Sequence, residues 1–412
     1  MRLCGSAATT LLFALAAAPA PAAERHAITR LDAASVDRAL RSAVDDGRIP
    51  GVVAMVATPD AVIYHGTFGK REIGASAPMT EDTIFRIFSM TKPVTSVAAM
   101  QLVERGKVSL DDPVSKYLPA LAKLNVLDGF ENGEPKLHPA ATAITVRHLL
   151  THTSGFAYSF LNKDLMDFLT KRGLGPMAHP DDEPISFEPG ARWQYGISTD
   201  KLGNLIEAVS GQTLAEYFQH EIFAPLGMED TDFNIAPEKQ SRVPAIQQRQ
   251  GDGTLHETPR QAVPPVTSFS GGGGLYSTGG DYVKFMQMLL RRGSVGKTHI
   301  LRPETVDLMT RNQIGDLQAG RLTSVMPARS KNVDFHPGVA DKFGFGFLIN
   351  PVAYPEGRSA GSLAWAGLAN TYFWIDPERK ICAVLLMQVL PFFDDDAVAL
   401  LRNFEHAVYA SQ

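Results

Sequence analysis

Apolar residues recur at helical spacing over 31–46 and stop at Gly47, which predicts an opening amphipathic helix. Two apolar runs follow, 52–57 and 61–67, with Asp60 in the turn between them, and both read as strands. At the far end 343–349, 363–374 and 381–390 are three further strand-like runs, and 395–410 returns to helical spacing. The stretch between these ends is helix-rich, with 92–105, 146–150, 199–209, 214–223 and 281–292 the clearest helices and Gly and Pro punctuating the rest. Strands at both ends around such a middle imply an α+β fold: an antiparallel sheet built from N- and C-terminal segments and flanked by helices, with an inserted mainly helical subdomain. The expected parts are 24–78 with 335–412 for the sheet and 79–334 for the helical insert, and the cleft between them is the place to seek a site.

Composition narrows the picture. With 412 residues, 44% hydrophobic and 20% charged, the chain can bury a large core, so disorder is not the expectation. Its 39 basic and 44 acidic residues leave a net charge of −5 with no block of like charge to track a phosphate backbone, which argues against nucleic acid. Arg2, the apolar run 11–18 and the small residues Ala20-Pro21-Ala22 read as a signal peptide over 1–23, cleaved near Ala22 or Ala23. No later segment reaches the ~20 apolar residues of a membrane span. A soluble periplasmic or secreted product is expected. Cys4 would leave with the signal, and Cys382 inside 381–390 reads as a buried, inert thiol.

The chemistry centres on Phe85-Arg86-Ile87-Phe88-Ser89-Met90-Thr91-Lys92-Pro93, which leads from an extended stretch into a helix. Residues three apart share a helix face, so the Lys92 ammonium can reach the Ser89 hydroxyl. Pro93 suits a first helical turn, and a helix start favours negative charge developing beside the serine. A lysine works as a base at neutral pH only when desolvation or its neighbours favour the neutral amine. Taken alone, Ser-x-x-Lys also fits an N-capping serine beside a solvated lysine.

The surrounding motifs decide between these. Val108-Ser109-Leu110-Asp111-Asp112-Pro113-Val114, Ile144-Thr145-Val146-Arg147-His148-Leu149-Leu150-Thr151-His152-Thr153-Ser154-Gly155-Phe156, Phe187-Glu188-Pro189-Gly190 with Trp193-Gln194-Tyr195, Pro225-Leu226-Gly227-Met228 and Gly272-Gly273-Gly274-Leu275-Tyr276-Ser277-Thr278 occur in order along the chain. In this the chain resembles the serine β-lactamase and penicillin-binding-protein superfamily, in particular its class C β-lactamase-like esterases, over 31–408 as one domain. The resemblance implies a β-lactamase/transpeptidase-like fold, with Ser89 as the acylated nucleophile, Lys92 as its partner and Tyr195 as a proton shuttle. Where the family's second motif has Tyr-x-Asn, this chain has Tyr195-Gly196-Ile197, so Ile197 replaces an amide that holds the substrate. Where the lactamases carry Lys-Thr-Gly, it has Trp365-Ala366-Gly367, which replaces the cation for a β-lactam carboxylate with an indole. By the same resemblance the amides of Ser89 and Leu368 form the oxyanion hole.

The expected activity is therefore hydrolysis of short-chain or other small-molecule esters or amides through an acyl-enzyme, with β-lactam or D-Ala-D-Ala hydrolysis, acyl transfer and a non-catalytic cell-wall sensor as alternatives. No cofactor or metal is expected, since the histidines and cysteines show no ligand spacing. Gly271 to Gly274 and Gly296-Lys297-Thr298 fail the phosphate-loop pattern and read as turns. His152 with Asp200 or Asp376 could suggest a triad, but reads as packing.

Overall fold

The computed structural model describes residues 26–180, 182–256 and 259–410; the expected signal segment 1–23, with Cys4, lies outside the described residues. The seven strands of the main sheet are β1 (Gly51–Ala57), β2 (Val62–Gly69), β3 (Lys342–Phe343), β4 (Leu348–Ile349), β5 (Leu363–Gly367), β6 (Thr371–Asp376) and β7 (Ile381–Leu386). Their spatial order is β3-β4-β5-β6-β7-β1-β2 and every pairing is antiparallel. The N-terminal hairpin thus joins the last strand, with Val53 opposite Leu386 and Ala57 opposite Cys382. All residues of β1, β6 and β7 are buried. Strands covered on both faces read as continuous apolar runs, which is how these segments look in the sequence.

Six of the helices pack about this sheet and the inserted segment: α1 (Ala33–Asp45), α2 (Thr91–Glu104), α3 (Val146–Thr151), α4 (Ser198–Ser210), α5 (Gly279–Leu290) and α6 (Asp395–Ala410). Phe373 of β6 meets Tyr282 of α5 at 5.3 Å between ring centroids, and its neighbour Trp374 meets Phe404 of α6 at 5.4 Å. Successive strand residues point to opposite faces, so α5 and α6 cover opposite sides of the sheet. α1 packs against α6, burying Val36, Leu40 and Ala43 at helical spacing, and Asp32 caps it by accepting from the Ser35 amide. α2 is buried at every position from Thr91 to Leu102 and lies against α4. A helix buried on all sides is a core helix, and Lys92 is part of it.

Several boundaries differ from those the sequence predicts. The run 343–349 is two short strands, because Gly344 and Gly346 interrupt it: a Cβ on Gly344 would collide with the Met309 carbonyl, and one on Gly346 with Ser96. The run 363–374 is a hairpin, β5 and β6, turning through Asn370 at φ 59°. The run 381–390 leaves the sheet after Leu386, and Val389–Leu390 pairs in parallel with Gln247–Arg249. The middle segment also holds a hairpin, Asn125–Glu131 with Glu134–Pro139, turned by Asn132 and Gly133, both at positive φ. Cys382 is fully buried on β7, and burial pushes its thiol pKa far up, so it stays protonated and inert. Among the described residues no helix is long and apolar enough to cross a membrane.

Candidate active site

Ser89 sits in a single tight turn, Phe88–Met90, that runs directly into α2. The residue before it, Phe88, has φ 44°, a left-handed backbone that a bulky side chain adopts only where its surroundings enforce it. Those surroundings are visible: Phe85 and Arg86 pair with Tyr276 and Ser277, the Ile87 amide donates to the Leu275 carbonyl at 3.0 Å, and the Tyr282 hydroxyl donates to the Met90 carbonyl at 2.9 Å. From the other side β5 presses on the turn. A Cβ on Gly367 would collide with the Ile87 carbonyl, so only glycine allows that approach.

Lys92, one helical turn on, is 1% exposed. Its ammonium donates three hydrogen bonds: to Ser89 Oγ at 3.3 Å, to the Tyr158 hydroxyl at 3.1 Å and to the Gly272 carbonyl at 2.6 Å. It also lies 4.7 Å from the centroid of the Tyr195 ring and 5.3 Å from that of Tyr158. The glycine run is a strap laid across α2. Thr95 donates to the Gly271 carbonyl at 2.7 Å, Thr91 accepts from the Leu275 amide at 3.1 Å, and Asp200 of α4 accepts from the Gly272 amide at 3.1 Å. A Cβ on Gly271 would press on Thr199 and Gly203 of α4, so bare backbone is what fits between the two helices.

Two phenols flank the lysine. A Cβ on Gly196 would collide with Phe156 and Ala157, and this bare crossing sets Tyr195 beside Tyr158 with ring centroids 5.3 Å apart. Burial, and after it the nearby Asp200 carboxylate, pushes the Tyr158 phenol pKa well above 10, so it stays protonated. The Tyr195 hydroxyl accepts from the Trp365 indole N–H at 3.3 Å. The sequence predicts that hydroxyl against Ser89 and Lys92; a phenol hydrogen bond to Lys92 is made by Tyr158, two residues past Phe156, where the family motif ends. Nothing local distinguishes Tyr158 from a core aromatic, and only its meeting with Lys92, 66 residues away, marks it.

Ser89, Tyr195, Trp365, Ala366, Gly367 and Leu368 all line one cleft of about 330 Å³, whose walls mix aromatic rings such as Phe88, Phe160 and Phe335 with polar and small residues. Trp365 therefore faces the cleft. Ile197, expected to touch substrate, is instead in the core, 2% exposed at the start of α4 and not on the cleft wall. His152 caps α3 in a left-handed conformation, φ 57°, and its ring packs on Tyr195, Trp193 and Phe343. Burial, then the charge of Lys92, holds its pKa well below 6.5. It is a neutral packing group. Asp376 holds the Ser359 amide and the Tyr409 hydroxyl, away from Ser89.

The beta-lactamase family profile matches residues 36–407. The chain belongs to the beta-lactamase family. Within it, the chain is 32% identical over 400 residues to monacolin J acid methylbutanoyltransferase of Aspergillus terreus, covering 91% of this chain and 95% of that one. It is 30% identical over 407 residues to lovastatin esterase of Penicillium rubens, covering 91% and 98%. Among solved structures it is similar to unliganded simvastatin synthase (LovD) of Aspergillus terreus, with TM-score 0.78, 31% identity and coverage of 91% and 97%. The family assignment accounts for the antiparallel sheet joined from both chain ends, and for a serine and a lysine one helical turn apart beside it.

Proposed function

We propose that this beta-lactamase-family chain is a serine hydrolase of the carboxylesterase type that acts on small-molecule esters through an acyl-enzyme on Ser89. The single observation that carries the reading is the Ser89 hydroxyl 3.3 Å from the buried Lys92 Nζ at the wall of the cleft. With Lys92 in its neutral amine form, Ser89 Oγ attacks the ester carbonyl and gives its proton to Lys92 Nζ, while the amides of Ser89 and Leu368 receive the oxyanion. The carbonyl–alkoxide bond then breaks, and the alcohol leaves with a proton delivered by way of Tyr195, a phenol of the cleft wall. Water adds to the acyl-enzyme in the same way and returns Ser89.

The same intermediate can pass its acyl group to an alcohol. The curated relatives support this second reading, since one is named as an acyltransferase and another as an esterase. Export belongs to the proposal too, supported by Arg2, the apolar run 11–18 and Ala20-Pro21-Ala22. The mature N-terminus should begin near Ala23, and a secreted or periplasmic product still carrying Met1 overturns that part.

Intact-mass measurement after a fluorophosphonate, together with 4-nitrophenyl butyrate turnover, tests the central claim. One adduct on Ser89, with turnover lost in Ser89→Ala, is the expected result. Undiminished turnover in Ser89→Ala sinks it.

A further inference from the structure

Two arginines on the cleft wall lack acidic partners. Arg86, three residues before Ser89, lays its guanidinium 4.5 Å over the Phe88 ring, and Arg329 lies 5.1 Å over the Phe160 ring. Among the described residues neither comes within ion-pair distance of a carboxylate, whereas Arg105, Arg242, Arg249 and Arg358 are each so paired. Arg329 Nε is in addition buried with no hydrogen-bond partner. Asp200, the acid on the cleft wall, is already engaged by the Ser270 hydroxyl at 2.5 Å and the Gly272 amide at 3.1 Å.

A buried donor without an acceptor costs free energy, and so does bringing like charges to one wall. Burial, with Arg86's like charge adding to it, pushes the Arg329 pKa down. Stacking on Phe88 and Phe160 gives each guanidinium a face contact, but a ring face leaves the N–H edge of Arg329 unfilled. An anion entering with the substrate would meet both charges in the form guanidinium groups bind best. These groups sit beside the turn that carries Ser89, not on β5, where the lactamase pattern has its lysine.

We propose that the cleft selects esters carrying a carboxylate, which Arg86 and Arg329 hold while the ester carbonyl lies at Ser89. The inference rests on the acyl-transfer reading and names its substrate class. The anion can reside on either half of the ester, and two matched pairs separate the halves. For the acyl half, mono-4-nitrophenyl glutarate is compared with its neutral methyl ester; for the alcohol half, 4-acetoxybenzoate with methyl 4-acetoxybenzoate.

For at least one pair, the wild-type kcat/KM for the anion should exceed that of its neutral partner by about tenfold or more, as a charge-assisted contact warrants. Arg86→Gln and Arg329→Gln should each cut this anionic-to-neutral ratio at least about fivefold, Arg86→Lys should retain part of it, and 0.5 M NaCl should lower it. If Arg329→Gln does not fold, Arg86→Gln, at an exposed side chain, still gives the answer. Ratios near one in the wild type, or ratios unmoved by both substitutions, overturn the inference while leaving Ser89-dependent turnover of the neutral esters intact. Absence of Ser89-dependent turnover of every ester would overturn the acyl-transfer reading itself.

Discussion

The Lys92 ammonium lies 2.6 Å from the Gly272 carbonyl oxygen, a shorter contact than the 3.3 Å to Ser89 Oγ three residues before it. The glycine strap therefore aims the lysine, and the strap is in turn fixed by Thr95 and Asp200. Replacing Lys92 with Met keeps the bulk and removes the hydrogen bonds. We expect kcat for 4-nitrophenyl butyrate to fall by roughly 10²–10⁴-fold, the usual contribution of a positioned proton-transfer group. Near-UV circular dichroism would report a retained fold; activity within about threefold of wild type would exclude Lys92 from proton transfer.

The two phenols should separate kinetically. Both phenols line the cleft, and Tyr158 is the one hydrogen-bonded to Lys92; with Tyr195 passing the proton to the leaving alcohol, Tyr195→Phe should lower kcat by roughly 10²-fold or more with little change in KM. Tyr158→Phe acts through the lysine. It should lower kcat by about tenfold and displace the pH–kcat profile, a displacement Tyr195→Phe should not reproduce. Identical profiles for all three proteins would contradict this division.

Gly196 has no room for a methyl group, because backbone atoms of Phe156 and Ala157 occupy the place. Gly196→Ala should cost about 1–3 kcal/mol of stability from overpacking and should separate Tyr195 from Tyr158. A thermal midpoint matching the wild type, with full activity, would show that the crossing is looser than its contacts imply.

Acid should weaken the fold through His152. Its native pKa is pushed well below 6.5, by burial first and the Lys92 charge second, while the unfolded imidazole titrates near 6.5. Below pH 6.5 the unfolded chain then binds more protons, so this contribution to stability is full above that pH and declines as pH falls toward the native value. One differential proton gives a slope of about 1.4 kcal/mol per pH unit. His148, shifted down by burial too, adds in the same sense. Urea unfolding at pH 7, 6 and 5 should give a shallower slope for His152→Gln than for wild type, and equal slopes would show that His152 has no part in the acid sensitivity.

By the resemblance, Trp365 stands where the lactamases carry a lysine, and that position carries a substrate prediction. kcat/KM for nitrocefin should be at least about tenfold below that for 4-nitrophenyl butyrate, a difference of about 1.4 kcal/mol in transition-state stabilisation. The reverse order would make the chain a lactamase despite the indole.

How far a sequence can be read depends on the range of the forces involved. The Ser89–Lys92 contact is legible because residues three apart on a helix share a face, and β1 and β7 are legible because strands covered on both sides are apolar throughout. Tyr158 is hidden because its role depends on a meeting across 66 residues that Gly196 permits and no local pattern announces. Ile197 misleads for the opposite reason: it occupies a motif position whose side chain, once apolar, turns into the core. The hairpin at Asn132 and Gly133 carries a turn signal that is readable in principle. Its strands are half-exposed and weakly alternating, so they do not stand out from loop.

The sheet closes only when the chain ends meet: β1 lies between β2 and β7, and the Arg379 guanidinium donates to the His26 carbonyl 353 residues away. During synthesis the N-terminal hairpin must therefore wait with one edge bare until nearly the whole polypeptide is available, a slow, long-range assembly open to aggregation in the interval. A product lacking only its final strand and helix would keep Ser89, Lys92 and both phenols in its sequence and yet lose the strand that joins β1 to β6.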